Sequence, residues 1–314
     1  MVFKKMLGAF GVGGPKVDTV LSGPDTRPGA PLTGQVNLTG GSHDVEIEHI
    51  TLGLVTRVEV EGGGGEYGAT GEFHRSAVTG PLRLAEGQQV SLPFQLVMPW
   101  ETPITHVYGQ RLRGMTMGVR TEVSIARAVD KGDLDAVHVH PLPVQERILA
   151  AFAGLGFGFK NADLEYGQIH GVHQTLPFYQ EIEYFPAPQY AHDINEVELT
   201  FVTNPHAVEV ILEFDKRGGM FTGGHDSFGR YSVPHTDADT VDWGRQVDAW
   251  VRQAVDHRRS AGPAYGGGHH GHYRRRGPGM GGVVAGVAGG LAAGYVAGEV
   301  MDEAFDDGGD DGGE

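Results

Sequence analysis

Leu92-Pro93-Phe94-Gln95-Leu96-Val97-Met98-Pro99 alternates apolar side chains at Leu92, Phe94, Leu96 and Met98 and then meets Pro99 and Pro103. Period-two alternation puts those four side chains on one face of an extended segment. The two prolines, which lack an amide donor, cannot continue a central strand. The stretch reads as an edge strand of a β-sandwich.

The same grammar runs upstream. Val17, Thr19 and Leu21 alternate within Lys16 to Leu21, and Pro28-Gly29 marks a turn before a second strand over 32–38. From Val45 to Leu54 the apolar positions are odd up to Ile47 and even from Ile50. A phase change inside a period-two pattern needs one inserted residue, which predicts a bulge near His49. The glycines between Glu61 and Glu66 form a hairpin tip, and further strands are expected over 70–79, 90–98 and 118–128. This spacing favours a sandwich over alternating strands and helices.

Composition narrows the function classes. The 314 residues are enough for two cores at roughly 100–200 residues per domain. There is no cysteine, which excludes disulfides, a thiol nucleophile and Cys-ligated metal. A formal charge of -16 argues against nucleic acid as a partner, because binding phosphates needs a clustered basic surface. Lys4 and Lys5 precede a short, glycine-broken apolar run that lacks a small-residue cleavage site, so a short amphipathic helix is expected there rather than a signal peptide.

Past Pro141 and Pro143 the period changes. Val144, Ile148, Leu149 and Phe152 recur at helical spacing, with Pro143 at a favourable first position. Strands resume over 180–185, 197–202 and 208–214, where Val208, Val210, Leu212 and Phe214 face one side and Glu209 and Glu213 the other. Trp243, Val247, Trp250, Val251 and Ala254 then make one apolar helical stripe, with Asp239 and Asp242 before it and Arg258 and Arg259 after it, as the helix dipole prefers. The plain reading docks this helix on the sheet; the alternative turns Trp243 and Trp250 toward a partner. The domains are therefore residues 1–130, a linker with a short helix at 131–157, residues 158–258, and a Gly-rich tail at 259–314.

In the tail, Gly282, Gly286, Gly290, Gly294 and Gly298 recur every fourth residue inside an uncharged run from Gly277 to Gly298. On a helix they form a groove for self-association. The run is long enough to span a bilayer of roughly 30 Å but weakly hydrophobic, so weak membrane association and homo-oligomerisation are both open. Arg274, Arg275 and Arg276 precede it, and eight acids and no base follow from Glu299 to Glu314. A largely disordered tail is the competing expectation.

No catalytic or cofactor constellation stands out. His269, His270 and His272 lack fixed supporting partners, and Gly223-Gly224-His225-Asp226-Ser227 reads as a polar turn because triad members converge through a fold. Gly11-Val12-Gly13-Gly14 lacks the Lys-Ser/Thr of a phosphate loop, and Asp130, Asp133 and Asp135 lack the closing Glu of a calcium loop. One reading pairs those aspartates with Arg111, Arg113 or Arg127 in an inter-domain polar cluster; a solvated linker is the alternative.

Lys4-Lys5-Met6-Leu7, Lys16 to Leu21, Pro28-Gly29, Gly40-Gly41, Ile50-Thr51-Leu52-Gly53-Leu54, Leu92 to Thr105 and Ala128 to Asp135, taken in order, resemble the bacterial sporulation-control protein family of arrestin-like fold. The resemblance covers about residues 1 to 255. It implies a mainly β chain of two tandem arrestin-like β-sandwich domains, no enzymatic activity, and a regulatory role in sporulation through protein partners related to cell division or the cytoskeleton. From the residues themselves no cofactor is expected, and the lack of cysteine fits a reducing, cytoplasmic location. The rival readings are a membrane-associated, self-assembling scaffold at the inner face of the membrane, and a β-sandwich hydrolase or carbohydrate-binding module.

Overall fold

The computed structural model describes residues 13–62, 65–215 and 229–260. The first half comprises β1 (Lys16–Leu21), β2 (Asp25–Thr26), β3 (Pro31–Thr39), β4 (Val45–Gly62), β5 (Gly65–Thr79), β6 (Leu82–Leu84), β7 (Gln89–Val97), β8 (His106–Val107), β9 (Gln110–Arg111), β10 (Met117–Ile125), β11 (Lys131–Ala136) and β12 (His138–Val139). Helix α1 (Pro143–Gly154) leads to β13 (Gly158–Tyr166), β14 (Phe178–Phe185), β15 (Glu196–Thr203), β16 (Ala207–Asp215) and β17 (Gly229–Pro234). A 3-10 turn (His235–Asp239) and α2 (Trp243–Ser260) follow.

Among the described residues β7 pairs with β3 alone, at one edge of a three-stranded sheet ordered β1-β3-β7, where the alternation and prolines place it. Leu32, Val36 and Leu38 of β3 and Leu96 of β7 bury against Ile47, Ile50, Leu52 and Leu54 of β4 and Val119, Val123 and Ile125 of β10. That is a two-layer sandwich. Its bulge lies where the phase change predicts: Ser124 faces His49 and Ile125 faces Ile47, so Glu48 has no opposite residue. Two successive exposed residues, Glu48 and His49, thereby fit between buried Ile47 and Ile50.

The linker begins later than the sequence suggests. Lys131–Ala136 pairs with β10 as an edge strand, and His138–Val139 pairs with β2 in parallel, so both belong to the first half. The Asp-Lys-Gly-Asp run looks like a turn because an edge strand half-exposed to water carries no clear apolar alternation.

A ten-stranded sheet runs β11-β10-β4-β13-β14-β15-β16-β17, with β5 and β6 also on β4, and so crosses both halves. The second half corrects the expectation of another sandwich: among the described residues it has one sheet, and α1, α2 and the 3-10 turn cover its inner face. The physical reason is on the outer face, where Glu181, Glu183, Glu198, Glu209 and Glu213 cannot build the apolar layer that sheet-on-sheet packing needs. The helical stripe supplies that layer instead. Trp243 and Trp250 are 7% and 5% exposed, and Trp250 stacks on Tyr231 at 4.3 Å, which rules out the partner-facing alternative for this pair. Asp242 Oδ1 accepts the Arg245 amide at 3.2 Å and caps α2.

Phe152 of α1 is fully buried against Phe157 and Tyr184. Phe152→Ala should cost about 3–5 kcal/mol of unfolding free energy in urea titrations. Val97→Thr, at an exposed position of β7, should stay within about 0.5 kcal/mol of the parent.

Candidate functional site

The two cores meet where β4 and β13 run parallel, sharing one register pair, Glu59 opposite Glu165. Every other junction in the large sheet has at least three pairs. Side chains, with one bond from the Arg113 carbonyl, carry the rest of the seam. Both oxygens of Glu101, just beyond β7, accept the Thr175 amide at 2.9 and 2.8 Å, and Glu101 also accepts the Thr175 hydroxyl and the Leu176 amide. Gln180 on β14 is 8% exposed and imitates a peptide: its Oε1 accepts the Ile104 amide at 2.9 Å and its Nε2 donates to the Ile104 carbonyl at 2.7 Å. Gln145 of α1 accepts the Leu142 amide at 2.8 Å and donates to Thr203 Oγ1 at 3.3 Å.

A second strap comes from the loop before β10. The Arg113 carbonyl accepts the Ala162 amide at 3.2 Å, and its guanidinium donates to the Lys160 carbonyl. Gly114 makes this approach feasible, with φ +92° and a position where a Cβ would stand 1.9 Å from the Ala162 carbonyl oxygen.

On the outer face, carboxylates stack across the strands. Asp163 lies opposite Glu181, and Glu183, Glu198 and Glu213 form a row across β14, β15 and β16. Like charges directly opposite destabilise a sheet. Lys160 relieves part of this by pairing with Glu183 at 2.8 Å and with Glu196, and Arg230 pairs with Glu209 at 2.9 Å. Burial, with Glu198, Asp163, Glu165 and Glu213 around it, pushes Glu181 up to about 9. Burial and the adjoining Glu183, Glu59 and Glu165 push Asp163 up to about 8. Asp163 Oδ1 is buried without a hydrogen-bond partner. Glu183 goes the other way: its burial is outweighed by Lys160, which lowers it. One oxygen each from Asp163, Glu165 and Glu181 lie within 4.8 Å of one another, a donor set suited to a hard cation.

The arginine and aspartate cluster separates into distinct places. Arg113 does cross between the halves, while Arg111 donates to the Met115 carbonyl at 3.0 Å within its own loop. Asp130 accepts the Ile125 amide at 3.1 Å, and Arg127 occupies a left-handed turn at φ +61°. Asp133 accepts the Thr19 amide at 2.6 Å and so ties β11 to β1 inside the first half. Asp135 sits beside it and is pushed up to about 6 by burial and by Asp133 and Asp18. Gly282, Gly286, Gly290, Gly294 and Gly298 lie outside the described residues, as do His225, the tail histidines and the expected N-terminal helix. The sequence reading misses Glu101, Gln180 and the carboxylate stack. The stack's traces are the alternation of Gln180-Glu181-Ile182-Glu183-Tyr184 and the shared side of Glu209 and Glu213, which mark a polar face but not what lies opposite it.

These features define a mainly β protein with two cores, coupled by polar side chains across a short parallel seam. The chain belongs to the SpoOM protein family, whose model matches residues 3–218. It is 33% identical over 222 residues to the sporulation-control protein spo0M of Bacillus subtilis, an alignment covering 70% of this chain and 83% of the relative. The crystal structure of Spo0M, sporulation control protein, from Bacillus subtilis superposes with a TM-score of 0.68 at 29% identity, covering 77% of this chain and all of that one. The family carries the name of a regulatory process, and that places this chain among sporulation-control proteins. No described helix is long and apolar enough to cross a membrane.

Gln180→Ala leaves both polar groups of Ile104 without their partner and should cost about 2–4 kcal/mol in urea unfolding. The folded chain holds the Glu181 proton up to about pH 9, whereas an unfolded chain releases it near the ordinary carboxyl value. This contribution to stability is complete at acid pH and declines as pH rises toward 9. Unfolding free energy should therefore fall between about pH 5 and pH 9, and Glu181→Gln, which keeps the neutral form, should flatten that slope.

Proposed function

We propose that this chain is a non-catalytic adaptor that acts in sporulation control by holding protein partners in the cytoplasm, with the seam between its halves as the element that partner binding sets. The observation that carries this reading is the carboxylate stack beside a single backbone pair. Such an arrangement is costly for the isolated chain, and a basic partner segment laid against the outer face would relieve it. The partner we infer is a protein with an exposed Lys- or Arg-rich segment, in the cell-division or cytoskeletal apparatus. The kinship with named sporulation-control proteins supports the regulatory part of the reading.

Affinity capture from sporulating cells should recover a basic partner with the parent chain and lose it with Glu198→Lys/Glu213→Lys. Capture that is indifferent to these reversals, or recovery of acidic partners only, would refute the docking face. A variant lacking residues 261–314 should retain the partner, because this reading places recognition on the sheet rather than the tail.

A further inference from the structure

Between β7 and β8 the chain leaves the first half and returns to it. Its ends are fixed there: the Met98 amide donates to the Ala30 carbonyl at 2.9 Å, and the Thr105 amide to the Val139 carbonyl at 2.9 Å. The residues between project into the second half. Thr102, Pro103 and Ile104 are buried, and Ile104, 1% exposed, packs within the core that α1 and α2 cover. Trp100 stacks on His235 of the 3-10 turn at 5.6 Å. Glu101 takes the Thr175 and Leu176 amides, and Ile104 gives its amide and carbonyl to Gln180.

Beneath this segment the sheet is interrupted. β14 and β15 pair only at Ile182 with Leu199, Glu183 with Glu198 and Tyr184 with Val197. The same register would set Gln180 opposite Phe201, Tyr179 opposite Val202 and Phe178 opposite Thr203, and among the described residues none of these pairs forms. Those six residues line a cavity of about 350 Å3, counting its open mouth, with Glu101 to Ile104 along another wall. The ladder opens where main chain from the first half arrives, and a buried glutamine is turned to bond that main chain. Peptide grooves are built this way, with backbone bonds giving affinity and side-chain pockets giving specificity.

We propose that this cleft in the second half is a receptor site for a peptide segment of a protein partner, which residues 100–104 of the chain occupy in cis and which a partner segment of the same chemistry enters by displacing them. The bonds define that chemistry. A carboxylate is required where Glu101 meets the two amides and the Thr175 hydroxyl, and an aliphatic residue three positions on, with its amide free to donate to Gln180. A proline between them keeps the backbone extended, as Pro103 does for Thr102. The amide and hydroxyl of Thr102 both donate to the Pro99 carbonyl, at 3.1 and 2.7 Å, so local bonds shape the segment and little freedom is lost on binding. Its withdrawal breaks no ladder longer than the single rung of Glu59 and Glu165. This site asks nothing of the carboxylate row and stands apart from the basic docking face.

The probe is a fluorescein-labelled peptide with the sequence of residues 98–106, titrated by anisotropy into the full chain. Glu101→Ala, and the milder Glu101→Gln, weaken the cis segment. Each should bind the probe about tenfold or more tightly than the parent chain does, because apparent affinity scales with the fraction of open sites. A probe N-methylated at the residue matching Ile104, which cannot donate to Gln180, and a probe carrying Glu101→Lys should each bind about tenfold or more weakly. Glu198→Lys/Glu213→Lys in the protein should leave the affinity unchanged, which separates this site from the outer face. Binding to the Glu101 variants no tighter than to the parent chain, binding indifferent to either altered probe, or binding lost with the outer-face reversals overturns the proposal.

Discussion

A sheet that crosses two cores would ordinarily be held at their boundary by a ladder of backbone bonds; here that boundary has one rung, and the residues at it are Glu59 and Glu165. Most of what positions the halves must therefore come from side chains and from the two apolar cores on either side, with the Ala162 amide on the Arg113 carbonyl as a further backbone bond. Glu101 and Gln180 do this by imitating backbone, each satisfying main-chain groups that a longer ladder would have paired. The orientation of the halves rests on a handful of hydrogen bonds between segments far apart in the chain, those of Glu101 and Gln180 spanning 74 and 76 residues.

The electrostatics compound this constraint. The second half has helices on one face and carboxylates on the other, so its sheet is apolar on the inner side and charged on the outer. Proton retention by Glu181 and Asp163 is how an isolated chain accommodates opposed acids at neutral pH. A basic partner, a hard cation or a proton would each answer the same deficit of positive charge. The family relationship sets this deficit in a protein of the sporulation-control family.

Much of the fold is legible in the residues because it depends on local period. The edge character of Leu92 to Met98, the bulge beside His49, the helix starting on Pro143 and the capped helix beginning at Trp243 all follow from alternation, proline and spacing. The nature of the second half is harder to read: a strand with one apolar face looks the same whether helices or a second sheet cover it. The seam is not legible at all, since pairing of residue 59 with residue 165 is decided by tertiary packing and leaves no periodic mark. Likewise Arg113 suggests an ion pair by its charge, yet its guanidinium donates to the Lys160 carbonyl and its own carbonyl accepts the Ala162 amide of β13. His138 and His140 show a one-residue spacing in the sequence, but the His106 ring comes to lie against theirs only through the fold.

The lone rung also has a mechanical meaning. Tension applied across the strands would concentrate where the fewest backbone bonds share the load, and in this sheet that is the line between β4 and β13. The molecule thus carries a built-in tear line, along which the halves could separate as intact blocks before either surrendered its own strands.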